Sequence, residues 1–560
     1  MTKPTKLQTA LKAHQSGERE FAEQQYKALM IEDPDCLDAC HLLAILYAEQ
    51  KKYLLAQPLF ENLLTHSPQD PTVYYHLGLC YYHLNNISAA LTVLTQAVAL
   101  SPEYVEAYHA LGKVYEATHD AGAAKTAYDK ALAIKPNDVD ALLHLSLWHL
   151  RQGQKEEARA GFRTVLGYMP DNPIARFQLG NIAYQAKEID EAYDYYASLP
   201  EDEDALLNAA VILLEKGEKQ DAVFQFQAIL ARNPKNLLAH NNLASIYVID
   251  KDYDQAITHY HAILMQDHAH YTAHFNLGAI YMAQKKWETA AYHLSIAVKE
   301  HPHDPDAHDN YATVLLKLNN EALAETHYLK ALALRPDDPI ASYRLAALTG
   351  KAQPQTAPSF YIQSLFDNYA EHFDHELMDA LQYKVPEALY KAASAYFYDR
   401  WDLHIIDLGC GTGLCGRYFL PRAERLIGVD LSKNMLALAE KKHIYDLLKQ
   451  EDMTVALDEW TAEIDLILAA DSFVYVGDLA PLLQACFRAL KPSGYLLFTV
   501  ERTRHETYFL NKSGRYGHNE TALRHLTQST GFKMDCCQSM ILRQEKGEPV
   551  HGWLIGLVKR

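Results

Sequence analysis

Residues able to do chemistry gather in the last third of the chain. The run Ile405–Gly416, IIDLGCGTGLCG, places glycines at 409, 411, 413 and 416 directly after an apolar stretch. A strand that delivers its backbone into a glycine loop opening a helix suits a nucleotide-like cofactor, because glycine permits backbone angles and close approaches that a Cβ forbids. Gly411, Gly413 and Gly416 spell GxGxxG, and Asp430 closes the next apolar run, near the offset of a ribose-binding acid in a dinucleotide fold. An acid there can accept both ribose hydroxyls. On these residues alone a dehydrogenase stays open beside other cofactor enzymes. A second set follows: Asp471, Ser472, Tyr475, Glu501, Arg515, Tyr516 and His518. Such groups orient a nucleophile or move a proton. Asp471 or His518 is the first choice for a base, with Glu501 and Tyr475 as further catalytic candidates. The structural alternatives are a turn cap for Asp471 and a surface position for His518.

Positioning these groups requires alternating strands and helices, and the sequence beyond Phe360 has that pattern. Strands are expected at LHIIDLG (403–409), RLIGVD (425–430), a short segment near 449–453, IDLILAAD (464–471) and GYLLFTVE (494–501). A helix near 520–530 precedes two closing strands, FKMDCCQSM and HGWLIGLVK, joined by the turn-rich RQEKGEP. In such a sheet a cofactor lies across the C-terminal ends of strands one, two and four.

The stretch DLGCGTG, Asp407 to Gly413, resembles the first motif of class I S-adenosylmethionine-dependent methyltransferases, whose cofactor lacks a pyrophosphate. The resemblance implies that Gly409, Gly411 and Gly413 admit the methionine part and ribose, and that Asp407 orders the loop or stands near the cofactor amino group. It also implies that Asp430 holds the ribose and that Asp452, in QEDM, receives the adenine amino group. The closing hairpin matches the antiparallel strand of that family. LFDNYAEHFDHEL, GVDLSKNMLALAEKKHIYDLL, AADSFVYVGDLAPLL and SGRYGHNE are similar to a bacterial group described as predicted methyltransferases with tetratricopeptide repeats. Related enzymes use an aromatic helix before the first strand as a lid. Tyr369 and Phe373, with Asp374 beside them, lie four apart on one helical face; an amphipathic helix merely packed on the sheet is the alternative. No Asn/Asp-Pro-Pro-Tyr stretch follows the fourth strand, so methylation of a base or of glutamine nitrogen is not supported.

The longer N-terminal part carries an internal repeat. Prolines at 34, 68, 102, 136 and 170 stand 34 residues apart, and the beat resumes at Pro234, His268, Pro302 and Pro336 after one interval four residues short. Within a period Tyr74, Leu77, Gly78, Tyr81, Ala90, Leu94 and Ala97 are answered by Tyr108, Leu111, Gly112, Tyr115, Ala124, Tyr128 and Ala131. Small residues where two helices touch, with proline after the second, describe a helix-turn-helix unit that buries its faces by stacking. These residues resemble the tetratricopeptide repeat, over about ten units spanning residues 3 to 349. His240, His274 and His308 replace a large consensus residue and are read as packing positions. Two residues after each comes an asparagine, Asn242, Asn276 and Asn310, with Asn208 one repeat earlier. An amide column offers donors and acceptors to an extended backbone. It looks like the asparagine ladder of O-linked N-acetylglucosamine transferases, which implies sequence-tolerant peptide binding; solvated positions copied by repeat duplication are the alternative.

The 560 residues exceed one domain. The expected organisation is an all-α tetratricopeptide-repeat superhelix over 1–350, a linker over 351–360 rich in Pro, Gln, Thr and Ala, and an α/β Rossmann-like class I methyltransferase domain over 361–560. Of the net charge of −19, residues 1–350 carry −15 and residues 351–560 only −4. An acidic surface disfavours nucleic acid and favours a basic polypeptide. The sequence offers no signal peptide and no run long enough to span a membrane, and its eight cysteines form no Cys-x-x-Cys pair. A cytoplasmic protein with no metal site is expected. The functional expectation is an S-adenosylmethionine-dependent methyltransferase whose repeats deliver a polypeptide substrate. The alternatives are a small-molecule methyltransferase docked by its repeats and a non-catalytic scaffold.

Overall fold

The computed structural model describes residues 3–375, 383–545 and 547–560. They form two compact units, Met1–Leu243 and Ala244–Arg560.

The first unit is a series of antiparallel helix pairs running from Lys3–Gln15 to Lys219–Arg232. Inside each pair the turn places one residue at positive φ: Gly17, Lys51, Asn85, His119, Gly153, Lys187 and Gly217. These positions keep the 34-residue spacing up to Lys187, after which Gly217 arrives early. The second helix of that repeat, Ile189–Ala197, has 9 residues where its counterpart Lys155–Tyr168 has 14, and the link after it is one residue longer. Glycine in the first helix is dictated by contact. A Cβ on Gly78 would stand 2.5 Å from Leu94 Cγ, and one on Gly112 2.3 Å from Tyr128 Cε1.

The second unit begins with the same motif, its turns at Lys251, Lys285 and Asn319, and ends the repeats with helix Pro339–Thr349. Gly350, in the left-handed conformation, stops that helix. Residues 351–358 form no helix, yet they are tied down. Gln355 O accepts from Gly477 N and Asp478 N, Ala357 N donates to Tyr475 O at 2.9 Å, and Thr356 bridges Val476. The division between the compact units falls inside the repeats, and the last repeat packs against the α/β part. Tyr343, Ala346 and Ala347 share one apolar cluster with Ala357, Val474, Leu510 and Tyr516.

Helices Ser359–His375 and Val385–Tyr396 lead into the sheet. Its strands are β1 (Leu403–Leu408), β2 (Ala423–Asp430), β3 (Leu447–Gln450), β4 (Ile464–Ala469), β5 (Leu490–Arg502), β6 (Tyr508–Leu510), β7 (Tyr516–His518), β8 (Phe532–Glu545) and β9 (Glu548–Lys559). The order β3-β2-β1-β4-β5 is parallel, with β9 antiparallel to β5 and β8 to β9. Alternation sends Ile406, Leu408 and Ile427 to one core and Leu403, Ile405, Leu426 and Leu468 to the other. Three features differ from the sequence expectation. Strand β3 lies earlier than 449–453. The closing strands run through RQEKGEP to a turn at Gly547, whose φ is +83°. The hairpin β6–β7, absent from the expectation, extends the C-terminal edge of β5, with Glu501 opposite Gly517 and Arg502 opposite His518. At three residues per strand it is too short to show a period.

Candidate active site

The strand order reverses between β1 and β4, and a cavity of about 390 Å³ opens over the C-terminal ends of β1, β2 and β4. Gly409, Gly411 and Gly413 all take positive φ, which explains the residue type. What each makes room for differs from the expectation. A Cβ on Gly409 would stand 2.4 Å from Ser472 Cβ, and one on Gly413 about 3.1 Å from Ile444, so these two clear space for the protein itself. Gly409 and Gly411 line the cavity, whereas Gly413 is not among its lining residues.

At the end of β2, Asp430 binds the loop: Oδ2 accepts from Gly411 N at 2.8 Å and Oδ1 from Ser432 N at 2.9 Å. Burial pushes its carboxyl above the ordinary range, opposed by these backbone donors. Asp430 lines the cavity and keeps lone pairs free. Asp407 is fully buried and does not line the cavity; Tyr445 donates to its Oδ2 at 2.7 Å. Burial raises it to about 7. This geometry favours the loop-ordering alternative for Asp407. After β3, Glu451 and Asp452 face the cavity. Asp452 caps helix Met453–Leu457 through Thr454 N, while the buried Oε2 of Glu451 has no hydrogen-bond partner.

The aromatic helix Ser359–His375 lies against the cavity, to which it contributes Ile362, Leu365, Phe366, Tyr369 and Phe373. Two aspartates clamp it to the sheet domain. Asp367 accepts from Ser432 Oγ at 2.6 Å and from Asn434 N, and Asp374 meets Thr412 and Lys442 Nζ.

The lining also holds Asp471, Tyr475, Arg515 and Arg543, at the ends of β4, β7 and β8. Asp471 sits at φ +55° with both oxygens engaged, Oδ1 by the Thr499 hydroxyl and Oδ2 by Arg543 Nη1, each at 3.0 Å. Arg543 also pairs with Glu501, and its Nε donates to Glu545 at 2.7 Å. Arg515 donates through Nε to the Tyr475 hydroxyl at 3.3 Å and pairs with Glu545. Two expected catalytic residues stand off the cavity. Glu501 is held behind it by Arg543 and Asn511. His518, inside the β5–β7–β6 ladder, has Nε2 3.0 Å from Gly477 O, and burial lowers it to about 4. Arg543 and Glu545 escaped the sequence reading because they lie in the segment taken for a turn, and the irregularity of β8 between Ile541 and Arg543 breaks the alternation that would have signalled them.

The methyltransferase-domain profile matches residues 406–498, the span holding the glycine loop, Asp430, Asp452 and Asp471. Tetratricopeptide-repeat profiles match 47–114, 149–205 and 247–309, 207–267, and 105–138 with 305–338. The chain joins tetratricopeptide repeats to a methyltransferase domain. Relatives of that domain include a ubiquinone biosynthesis O-methyltransferase of Hydrogenovibrio crunogenus, 27% identical over 19% of this chain and 46% of the relative. A malonyl-[acyl-carrier protein] O-methyltransferase of Priestia megaterium is 28% identical over 25% of this chain and 50% of the relative. The chain thus spans about half the length of these curated relatives. Among solved structures, MamA is 26% identical and covers 28% of this chain and 92% of its own, with a TM-score of 0.27.

In the repeats preceding the methyltransferase domain the four asparagines are half-buried. Asn242 Nδ2 donates to Leu238 O at 2.9 Å, within its own helix. The histidines 240, 274 and 308 are buried and turn Nε2 to the carbonyl six residues earlier. Among the described residues no group of three or more His, Cys, Asp or Glu is placed to hold a metal, and no helix is long and apolar enough to cross a membrane.

Proposed function

We infer that this protein is an S-adenosylmethionine-dependent methyltransferase that acts on an oxygen nucleophile and binds a polypeptide through its repeats. The observation that carries the reading is one cavity lined both by Gly409, Gly411, Asp430, Glu451 and Asp452 and by Tyr475, Arg515 and Arg543. The residues fit the cofactor: Glu451 has an unpartnered acceptor, and Asp430 keeps acceptor capacity beyond its two backbone donors. Asp430 would hold the ribose hydroxyls, Glu451 and Asp452 the adenine amino group, with Tyr369 and Phe373 covering the site. S-adenosylmethionine supplies a methyl group already activated on a charged sulfur. The protein's part is to orient the acceptor and exclude water. An oxygen acceptor is supported by relatives named O-methyltransferases.

A second reading, a small-molecule acceptor with the repeats used for docking, is favoured by Asn242, whose amide already bonds Leu238 O within its own helix. Transfer of labelled methyl groups into cell extract, with Asp430→Ala as control, tests the activity. Label in a protein band that falls with Asn242→Ala plus Asn276→Ala supports delivery by the repeats. Label confined to small molecules supports docking, and no label with either protein refutes the methyltransferase reading.

A further inference from the structure

Resting on the methyltransferase reading, the geometry of the acceptor end narrows the acceptor's chemistry. A neutral hydroxyl or an ammonium group must lose a proton before or during methylation, which calls for a base within hydrogen-bond reach. The lining carboxylate at this end, Asp471, has Thr499 on one oxygen and Arg543 on the other. Glu501 and His518 do not line the cavity, and Glu501 is itself paired with Arg543. Burial keeps the Tyr383 hydroxyl protonated.

Cations and donors do reach the cavity. Arg515 spends Nε on Tyr475 and Nη1 on Glu545, and none of the described hydrogen bonds uses its Nη2. Because Tyr475 accepts from Arg515, its own proton is free to be donated. Glu501 and Glu545 stand outside the lining and fix the two guanidinium groups from behind. A pinned guanidinium beside a hydroxyl donor matches the two oxygens of a carboxylate.

We propose that the acceptor is a carboxylate, received by Arg515 and Tyr475 and converted to a methyl ester. The acceptor oxygen bonds to the methyl carbon as the carbon–sulfur bond breaks. The electron pair leaves with sulfur, and no proton moves. A carboxylate is ionised at neutral pH and needs no base, which agrees with an Asp471 whose two oxygens are engaged by Thr499 and Arg543 among the described residues. The carboxylate belongs either to a protein side chain or terminus or to a small acid.

The test uses the full chain with tritiated-methyl S-adenosylmethionine and extract of source cells lacking the gene, separated into protein and small-molecule fractions. Mild alkali hydrolyses methyl esters to volatile methanol but leaves ethers and N-methyl groups intact. Label released as methanol is the expected result, and the fraction it came from identifies the acid; alkali-stable label overturns the proposal. Arg515→Gln is expected to lower transfer at limiting acceptor by about tenfold or more, with Arg515→Lys intermediate. S-adenosylhomocysteine affinity, read by calorimetry, should stay unchanged in both variants. Transfer at the full rate by Arg515→Gln removes Arg515 from acceptor recognition. Absence of any label from the wild-type chain, while S-adenosylhomocysteine still binds, refutes the methyltransferase reading and the proposal with it; alkali-stable label refutes the proposal alone.

Discussion

The hydroxyl of Tyr343, in the last repeat helix, donates to the carbonyl of Gly514 in the β6–β7 turn at 2.9 Å, across 171 residues of chain. Around this bond Tyr343 packs against Tyr361 and Tyr516. The final repeat is thus part of the methyltransferase domain's wall, next to the segment 355–357 that holds Tyr475 and Gly477.

It follows that a fragment beginning at residue 351 would expose Tyr516, Leu510 and Val474. Thermal melting should show it less stable than a fragment beginning at residue 305, and equal midpoints would contradict the seam. In the full chain Tyr343→Phe should cost about 1 kcal/mol through the lost hydrogen bond to a buried carbonyl.

On the proposed cofactor reading, Asp430→Asn should raise the dissociation constant for S-adenosylhomocysteine by about tenfold or more, since its oxygens hold the loop and would also take the ribose. Calorimetry on a variant whose melting is normal checks it. Unchanged affinity would place the ribose elsewhere.

Gly409→Ala should be destabilising by about 1–3 kcal/mol, from a left-handed backbone together with a Cβ in contact with Ser472. The displaced Ser472 loses its bond to Leu408 O. Denaturant unfolding of Gly409→Ala beside Gly167→Ala, whose Cβ meets nothing, separates local strain from a general cost.

Two histidine pairs predict an acid-sensitive stability. His274 and His293 approach at 2.9 Å between Nδ1 atoms, and His308 and His327 at 2.8 Å. Burial lowers His293 and His327 from 6.5 to about 4, reinforced by the partner imidazole and, further away, by His261 and Lys330. Between these values the unfolded chain binds more protons, so their contribution is complete above about pH 6.5 and is lost as pH falls toward 4. Melting midpoints from pH 7.5 to 4.5 should fall, and less steeply in His293→Gln plus His327→Gln.

Arg543→Gln leaves Asp471, Glu501 and Glu545 without their shared cation, and should cost about 3–5 kcal/mol. Adding Glu501→Gln should recover part of the loss, a coupling that a double-mutant cycle measures.

The sequence by itself determined the repeats and the glycine loop, because both are local packing problems that recur or close within a few residues. Every turn between paired helices meets the same backbone demand, which is why the left-handed positions keep the period of the prolines. The positions of Gly409 in a loop and of Asp430 at the end of the next strand were legible for the same reason. What stands at the acceptor end was decided only by tertiary structure. Asp471 meets Arg543 across 72 residues, and Glu501 meets it across 42, so their engagement depends on β8 being brought to the ends of β4 and β5. His518 has the right chemistry, but β7 hydrogen-bonds on both sides and turns its imidazole into the core. Residue type declares what a side chain can do; whether it reaches the cavity is set by the strands that carry it.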